Sequence, residues 1–180
     1  METQLQLYKD INDKAIVIAN KYKIKAPIKS PDKLISTLGG IIIEEPIEKD
    51  GRGFVKKESF DSEYKFSIHI SSDTDEKVRT FNIMTNLGYL FLSLGYDDEA
   101  KWKNSDMFDI EHNYNAFLTH MAEEFALALL IPEQKLDKYK ESCSFMGIVN
   151  NKKLAEKFGV TVDMIIKRRT ALLCINGCKD

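Results

Sequence analysis

Histidine and carboxylate side chains near position 120 could bind a metal ion. His112 and His120 lie eight residues apart on one predicted helix, and Glu124 follows His120 by four residues, on the same helix face. Glu111 and Glu123 are close by in the sequence. Imidazole and carboxylate groups are common zinc ligands, so a site could be assembled from this set. His–Glu pairs at this spacing are also common on solvated helix faces, and both interpretations stay open.

A second group of candidate residues is basic. The segment LAEKFGVTVDMIIKRR (154–169) has the rhythm of a helix-turn-helix, with a glycine-containing turn between two helices. Lys167, Arg168 and Arg169 are its possible DNA contacts. They lie late in the second helix, however, whereas recognition helices contact bases with their N-terminal residues. Only four of the 26 basic residues are arginine, the preferred reader of phosphate and guanine. DNA binding is therefore an alternative and not the main prediction.

The central segment VRTFNIMTNLGYLFLSLGY (78–96) has the most specific pattern. In a zinc peptidase helix of the form H-E-x-x-H, histidines four residues apart share one face and bind one metal. The Glu takes a proton from the bound water. The frame R-x-F-x-x-A-H-E-L-G-H, in which ImmA/IrrE peptidases carry this motif, is matched here by Arg79, Phe81, Ile83, Leu87 and Gly88. The segment therefore resembles this family, whose domain was once called DUF955.

The resemblance to the ImmA/IrrE family extends along most of the chain. The segment EEFALALLIPEQ (123–134) is similar to the family's A-N-x-F-A-x-x-L-L-M-P segment. KFSIHISSD (65–73) is similar to the edge strand that precedes the motif, and residues 154–172 are similar to the closing helix pair. These segments occur in the family's order, so the resemblance predicts the family's fold.

The resemblance implies three zinc ligands and one general base, and this chain differs at all four positions. Thr85 and Tyr89 replace the two histidines, and Asn86 replaces the glutamate. Thr119 replaces the third ligand, or His120 or Leu118 does if the alignment shifts by one residue. Threonine and asparagine are poor zinc ligands, and tyrosine, with an unperturbed pKa of about 10, is a reluctant one. An amide cannot act as a general base. We therefore expect no metal, no cofactor and no peptidase activity.

The resemblance also implies a class of partner. Active family members recognise and cleave a helix-turn-helix repressor, often in phages, integrative elements or stress responses. A relative without the metal could still bind such a repressor, because protein binding needs only a complementary surface. We therefore predict an antirepressor-like protein that binds a bacterial or phage transcriptional regulator through Thr85, Asn86, Tyr89 and His120. The alternatives are a zinc peptidase with relocated ligands and a DNA-binding protein that uses the C-terminal helix pair.

The elements that position these residues follow from periodicity and capping. Apolar residues at helical spacing predict a first helix over 11–22, and Ser30 before Pro31 begins a second one. Strands are predicted over 41–43, 51–57 and 65–71, with His69 on the solvated face. Further helices are predicted over 76–94, 110–130, 132–140, 151–158 and 162–173. The fold class is α+β: a zincin-like ImmA/IrrE peptidase fold, with a small twisted antiparallel sheet and flanking helices. We expect one domain over 1–180, closed by the helix pair 151–175.

Composition limits the environment of the chain. A hydrophobic content of 43% and a formal net charge of −2 are ordinary for a globular protein and attract neither nucleic acid nor anionic membrane. No apolar run reaches the ~18–20 residues that a bilayer requires, and no secretory signal is visible. The three cysteines fit no zinc-ribbon spacing. We expect a cytoplasmic protein of a bacterial host, without a membrane partner.

Overall fold

The computed structural model describes residues 2–47, 52–105 and 115–177 of the chain. The helices are Glu2–Tyr22 (α1), Pro31–Thr37 (α2), Glu76–Leu92 (α3), Glu99–Asn104 (α4), Ala116–Leu130 (α5), Glu133–Cys143 (α6), Asn151–Phe158 (α7) and Val162–Asn176 (α8). The strands are Gly40–Glu45 (β1), Phe54–Lys57 (β2), Phe66–Ser71 (β3), Ser144–Phe145 (β4) and Ile148–Val149 (β5). These elements confirm the α+β class.

The chain divides into two compact units. The first is formed by Met1–Lys29 together with Glu124–Asp180, and the second by Ser30–Glu123. The second unit contains the three-stranded sheet, α2, α3 and α4, and the first unit contains α1 and α6 to α8. Helix α5 begins in the second unit and ends in the first.

The sheet of the second unit is mixed, so the prediction of an antiparallel sheet is wrong for one pair of strands. The strand order is β1-β3-β2, with β1 parallel and β2 antiparallel to β3. Alternation of apolar residues predicts a strand but does not specify its neighbours. The side chains of Phe66, Ile68 and Ile70 are fully buried, and their strand, β3, takes the central position where both of its edges are paired.

Strand β2 begins later than predicted because of Gly53. This residue has φ +79°, which extended strand does not adopt, and a Cβ on it would lie 2.0 Å from the backbone oxygen of His69. Only glycine can occupy this position, and the strand starts at Phe54. Gly51, where the strand was predicted to begin, lies outside the described residues.

Helix α3 is the buried centre of the second unit. Asp75 begins it by accepting hydrogen bonds from the backbone nitrogens of Lys77 and Val78, at 2.9 and 3.2 Å. Every residue from Asn82 to Phe91 is buried, and the helix packs against β3 and β2. A helix that is buried on all sides must place its polar residues among protein atoms, which is the situation of the candidate site.

Arg79, on the first turns of α3, connects three elements of the second unit. Its guanidinium lies 2.7 Å from a carboxylate oxygen of Asp32 on α2 and 2.8 Å from one of Glu44 on β1. The hydrogen bond from Arg79 lowers the pKa of Asp32 below its ordinary value. This residue of the family frame therefore has a structural role.

Helix α4 and the β4–β5 hairpin were not predicted. Asp98 accepts hydrogen bonds from the backbone nitrogens of Ala100 and Lys101 and begins α4. Trp102 on this helix packs edge-on against Tyr96, 4.9 Å between ring centroids, and the Lys57 ammonium lies 4.8 Å from its ring centroid. Both elements are short and carry no long apolar period, which is why periodicity did not reveal them. None of the helices in the described part of the chain combines the length and apolar character that crossing a membrane requires.

Candidate functional site

Three side chains at the metal-motif positions lie within the buried part of α3. Thr85, Asn86 and Tyr89 are exposed by only 2%, 1% and 3%. Residues four apart on a helix share a face, so Thr85 and Tyr89 are neighbours along α3. The site therefore has the helical arrangement of the H-E-x-x-H motif but hydroxyl groups in place of imidazoles.

Gly88 allows α3 and α5 to approach closely beside these residues. A Cβ on Gly88 would lie 2.7 Å from the backbone oxygen of Ala122 and 2.8 Å from its Cα. Any larger residue would push the two backbones apart. The glycine of the family frame thus sets the distance between the two helices that carry the candidate site.

The close approach brings Tyr89 and Thr119 into contact. The Tyr89 hydroxyl donates a hydrogen bond of 2.8 Å to Oγ1 of Thr119 on α5, and both residues are buried. Thr119 Oγ1 in turn donates to the backbone oxygen of Asn115, at 3.1 Å. Two positions that the resemblance implies for metal ligands are therefore joined to each other by neutral hydroxyl groups.

Asn86 uses its amide as a hydrogen-bond donor. Its Nδ2 donates to the backbone oxygen of Arg52 at 3.1 Å and to that of Asn82 at 2.9 Å. A carboxylate at this position has no hydrogen to donate to either oxygen. Asn86 thus connects α3 to the segment that enters β2, which a glutamate could not do in the same way.

The Thr85 hydroxyl, unlike the Asn86 amide, is not hydrogen-bonded to any described residue. Its oxygen, Oγ1, is buried. A buried hydroxyl without a partner destabilises a folded protein by about 1–3 kcal/mol. The first of the two histidine positions therefore holds a polar atom that no described residue satisfies.

An ion pair that the sequence did not reveal lies next to these residues. Arg52 Nη1 is 3.3 Å from Oε1 of Glu123, one helical turn after Thr119 on α5. The Arg52 side chain is almost half exposed, and that of Glu123 is mostly buried. The only signal in the sequence is an isolated arginine between Gly51 and Gly53, which indicates a turn and no contact.

The donors at this site do not fit a zinc ion. Zinc in proteins takes thiolate, imidazole and carboxylate ligands, whereas Thr85, Tyr89 and Thr119 offer neutral oxygens. In the described part of the chain, no group of three His, Cys, Asp or Glu side chains is arranged to hold a metal. His112 and Glu111, proposed for a relocated site, lie outside the described residues. His120 is exposed, and Glu124 is buried, where its charge favours the protonated form of Arg168.

The prediction that Arg168 contacts DNA is wrong, because this residue is buried. Arg168 is 2% exposed and donates hydrogen bonds to the backbone oxygen of Ile131 at 3.1 Å and to Oδ1 of Asn12 at 2.5 Å. Burial lowers its pKa to about 10. Position 168 lies on the inner side of α8, so the residue joins α8 to α1 and cannot reach a phosphate. Arg169 donates to Oδ1 of Asn151 at 2.6 Å, and Lys167 is exposed.

His69 is also not the solvated residue that alternation predicted. Its Nδ1 lies 2.6 Å from Oε1 of Glu45 and its Nε2 3.0 Å from Oγ of Ser67. Its ring stacks on Phe54 with 4.3 Å between centroids. The cross-strand neighbours that bury it come from β1 and β2, and the sequence does not place those strands beside it.

The comparisons with known proteins agree with this fold. The solved structure of a Mycobacterium tuberculosis transcriptional regulator matches with a TM-score of 0.57 and 13% sequence identity. The match covers 89% of this chain and 46% of that chain, so this chain spans less than half of the regulator's length. No curated protein matches the chain. The model of a peptidase family described as the IrrE N-terminal-like domain matches residues 42–170. The chain therefore belongs to the family of IrrE N-terminal-like domains.

Proposed function

We propose that this chain is a catalytically inactive member of its peptidase family and acts by binding another protein. The partner is a transcriptional regulator of a bacterium or phage, of the helix-turn-helix class, and binding blocks the regulator without cutting it. The exposed His120 and the Arg52–Glu123 ion pair contact the partner. Thr85, Asn86 and Tyr89, which were predicted as contacts, are buried and support this surface from within the protein, as Asn86 does by its hydrogen bond to the backbone oxygen of Arg52.

The observation that carries the proposal is the hydrogen bond between Tyr89 and Thr119. In an active relative, the resemblance implies that these two positions hold one metal ion. Here each is a neutral group, and one satisfies the other. Asn86 is occupied as a donor to two backbone oxygens and cannot accept a proton from water as a carboxylate does. The metal ligands and the general base are replaced together. This supports the loss of the whole peptidase reaction, both metal binding and proton abstraction.

Two observations support a regulator as the partner. Family membership implies a surface that recognises repressors, and the solved structure with a similar fold is that of a transcriptional regulator. Loss of metal ligands from a buried helix leaves the exposed residues around it available for recognition. Arg52 and His120 are exposed, and arginine is enriched in protein interfaces.

The test is capture of the partner followed by measurement of its affinity. We expect the tagged chain, expressed in its native host, to retain a helix-turn-helix regulator of unaltered length. In the double variant Arg52→Glu/Glu123→Arg the ion pair is kept but its charges are exchanged. This variant should fold normally and bind the purified regulator about tenfold more weakly. Lys9→Glu, at an exposed lysine of α1, is the matched control and should bind like the wild type.

Two results would contradict the proposal. Recovery of regulator fragments that disappear with a zinc chelator would show an active peptidase. Equal affinity of the charge-exchanged variant and the wild type would show that the partner contacts a different surface.

A further inference from the structure

The β4–β5 hairpin exposes three large apolar side chains at its tip. Phe145, Met146 and Ile148 are exposed by 76%, 86% and 75%. Phe145 and Ile148 are paired across the two strands, so they lie side by side on the short ribbon. Single exposed apolar residues are normal on protein surfaces, whereas interaction sites expose several apolar residues side by side, as this turn does.

The turn of the hairpin holds an apolar residue where polar ones are preferred. Met146 and Gly147 have φ values of +48° and +79°. Two-residue hairpin turns with both φ values positive strongly favour Asn-Gly and Asp-Gly, because Asn and Asp tolerate this conformation better than other side chains. Methionine has no such advantage. Its presence keeps the tip of the hairpin apolar at a conformational cost.

The base of the hairpin is held firmly. The backbone nitrogen of Asn150 donates to the backbone oxygen of Cys143 at 2.9 Å, which closes the ribbon. Ser144 Oγ donates to the backbone oxygen of Lys140 at 2.7 Å. Asn150 Oδ1 accepts from the backbone nitrogen of Lys153 and begins α7. The apolar tip is therefore a fixed projection between α6 and α7.

The elements on either side of the hairpin are basic. From Asp137 to Lys157 there are five lysines and three acids, a net charge of +2, whereas the whole chain carries −2. Lys138, Lys152 and Lys153 are exposed and form no ion pair with any described residue. An apolar tip with lysines at its base is complementary to a surface that has an anionic outer layer over an apolar interior.

The size and charge of the tip argue for a lipid surface over a second copy of this chain. A stable protein interface covers about 800 Å² on each partner, and three side chains on a two-residue ribbon cannot provide this area for a second copy. The lysines of two copies would also face each other. A bilayer has no such requirement. The tip projects about 7–10 Å, at about 3.3 Å per residue, which matches the 5–10 Å depth of the interfacial region.

We infer that the β4–β5 hairpin is a membrane finger that inserts Phe145, Met146 and Ile148 into the surface of an anionic bilayer. The exposed lysines at its base contact the lipid phosphates. Polybasic segments and apolar insertion together give reversible binding that weakens with salt. The expectation of no membrane partner came from the net charge of the whole chain and from the absence of a long apolar run. The first averages out this local basic segment, and the second does not detect a short apolar hairpin.

The test measures co-sedimentation of the full chain with lipid vesicles. We expect binding to phosphatidylcholine vesicles containing one quarter phosphatidylglycerol, weaker binding at high salt, and little binding to phosphatidylcholine alone. The variant Phe145→Ser/Ile148→Ser should lower the partition coefficient about tenfold. Lys152→Glu/Lys153→Glu should lower it for anionic vesicles and have no effect on the residual binding to neutral ones.

Two further variants separate insertion from folding and from general stickiness. Met146→Asn should bind vesicles severalfold more weakly while its thermal midpoint stays the same or rises, because Asn suits the turn. Phe60→Ser is the matched control, since Phe60 is fully exposed but lies among Glu58, Asp61 and Glu63. It should bind like the wild type. Equal partitioning of the hairpin variants and the wild type would overturn the inference. So would a hairpin-dependent dimer that does not bind vesicles.

Discussion

Two buried threonines of the candidate site differ in their hydrogen bonding. Thr119 Oγ1 accepts from the Tyr89 hydroxyl and donates to the backbone of Asn115. Thr85 Oγ1 has no partner among the described residues. The two residues have the same side chain and similar burial, so they form a matched pair in which hydrogen bonding is the main difference.

Replacing each threonine by valine should change stability in opposite directions. Thr85→Val removes an unsatisfied hydroxyl at nearly constant volume and should raise the free energy of unfolding by about 1 kcal/mol. Thr119→Val removes an acceptor of a buried hydroxyl and should lower it by about 1–2 kcal/mol. Urea denaturation of the two variants and the wild type measures both values. A loss of stability in Thr85→Val would mean that its hydroxyl has a partner in solution.

At the residue scale, the sequence placed the three motif residues on one helix but did not give all of their contacts. The family frame aligned Thr85, Asn86 and Tyr89 on one helix, because a helical spacing is a local property. The pairing of Tyr89 with Thr119 joins residues thirty positions apart, and that of Arg52 with Glu123 joins residues even farther apart. The resemblance implied that Tyr89 and Thr119 approach one metal ion, but not that they are hydrogen-bonded to each other. It contained no signal for the pairing of Arg52 with Glu123, which depends on how distant segments of the chain pack.

At the scale of elements, the crossing of α3 and α5 depends on a single glycine. In most helix interiors, replacing glycine by alanine stabilises the protein by about 0.5–1 kcal/mol. At Gly88 the added Cβ would lie within 2.8 Å of two backbone atoms of Ala122. Steric overlap with backbone cannot be relieved by a side-chain rotation, so the two helices must separate.

We therefore expect Gly88→Ala to lower the free energy of unfolding by about 1–3 kcal/mol, the opposite of the usual helical effect. The second variant Gly88→Ala/Ala122→Gly should not recover the loss, because the closest atoms belong to the backbone of residue 122. Thermal and urea unfolding measure the change. A stabilised Gly88→Ala variant, or full recovery in the double variant, would show that α3 and α5 lie far enough apart to hold a Cβ at position 88.

The sequence predicted those elements whose ends carry capping residues or whose interiors have a clear period. Ser30 begins α2 as expected, and Asp75 begins α3 next to the predicted start at residue 76, because caps act within one helical turn. The parallel pairing of β1 with β3 and the hairpin with Met146 at its turn were not predicted. The first depends on contacts distant in sequence, and the second uses a residue that turn preferences do not indicate.

At the scale of the whole molecule, the proposed loss of the zinc site predicts how stability depends on zinc. The second unit has a core of sheet residues and α3, with Phe66, Ile68, Ile83 and Leu87 fully buried. The positions that the resemblance implies for zinc ligands lie within this core as neutral residues. A ligand that binds only the folded state raises stability by an amount set by its concentration and affinity. A chain that does not bind zinc should show no such dependence.

Thermal unfolding should therefore be independent of zinc and of chelators in the wild-type chain. The variant Thr85→His/Asn86→Glu/Tyr89→His/Thr119→Glu restores the implied ligands and base, and its stability should rise by about 4 kcal/mol when zinc is a thousandfold above its dissociation constant. The matched control keeps Thr85 and carries the other three substitutions. With one ligand fewer, it should respond much less. A zinc-dependent midpoint in the wild type would refute the loss of the metal. If the four-residue variant does not respond to zinc, these four positions do not converge as the resemblance implies. Two histidines and a glutamate that surround one point on α3 and α5 should bind zinc, because zinc prefers these ligands.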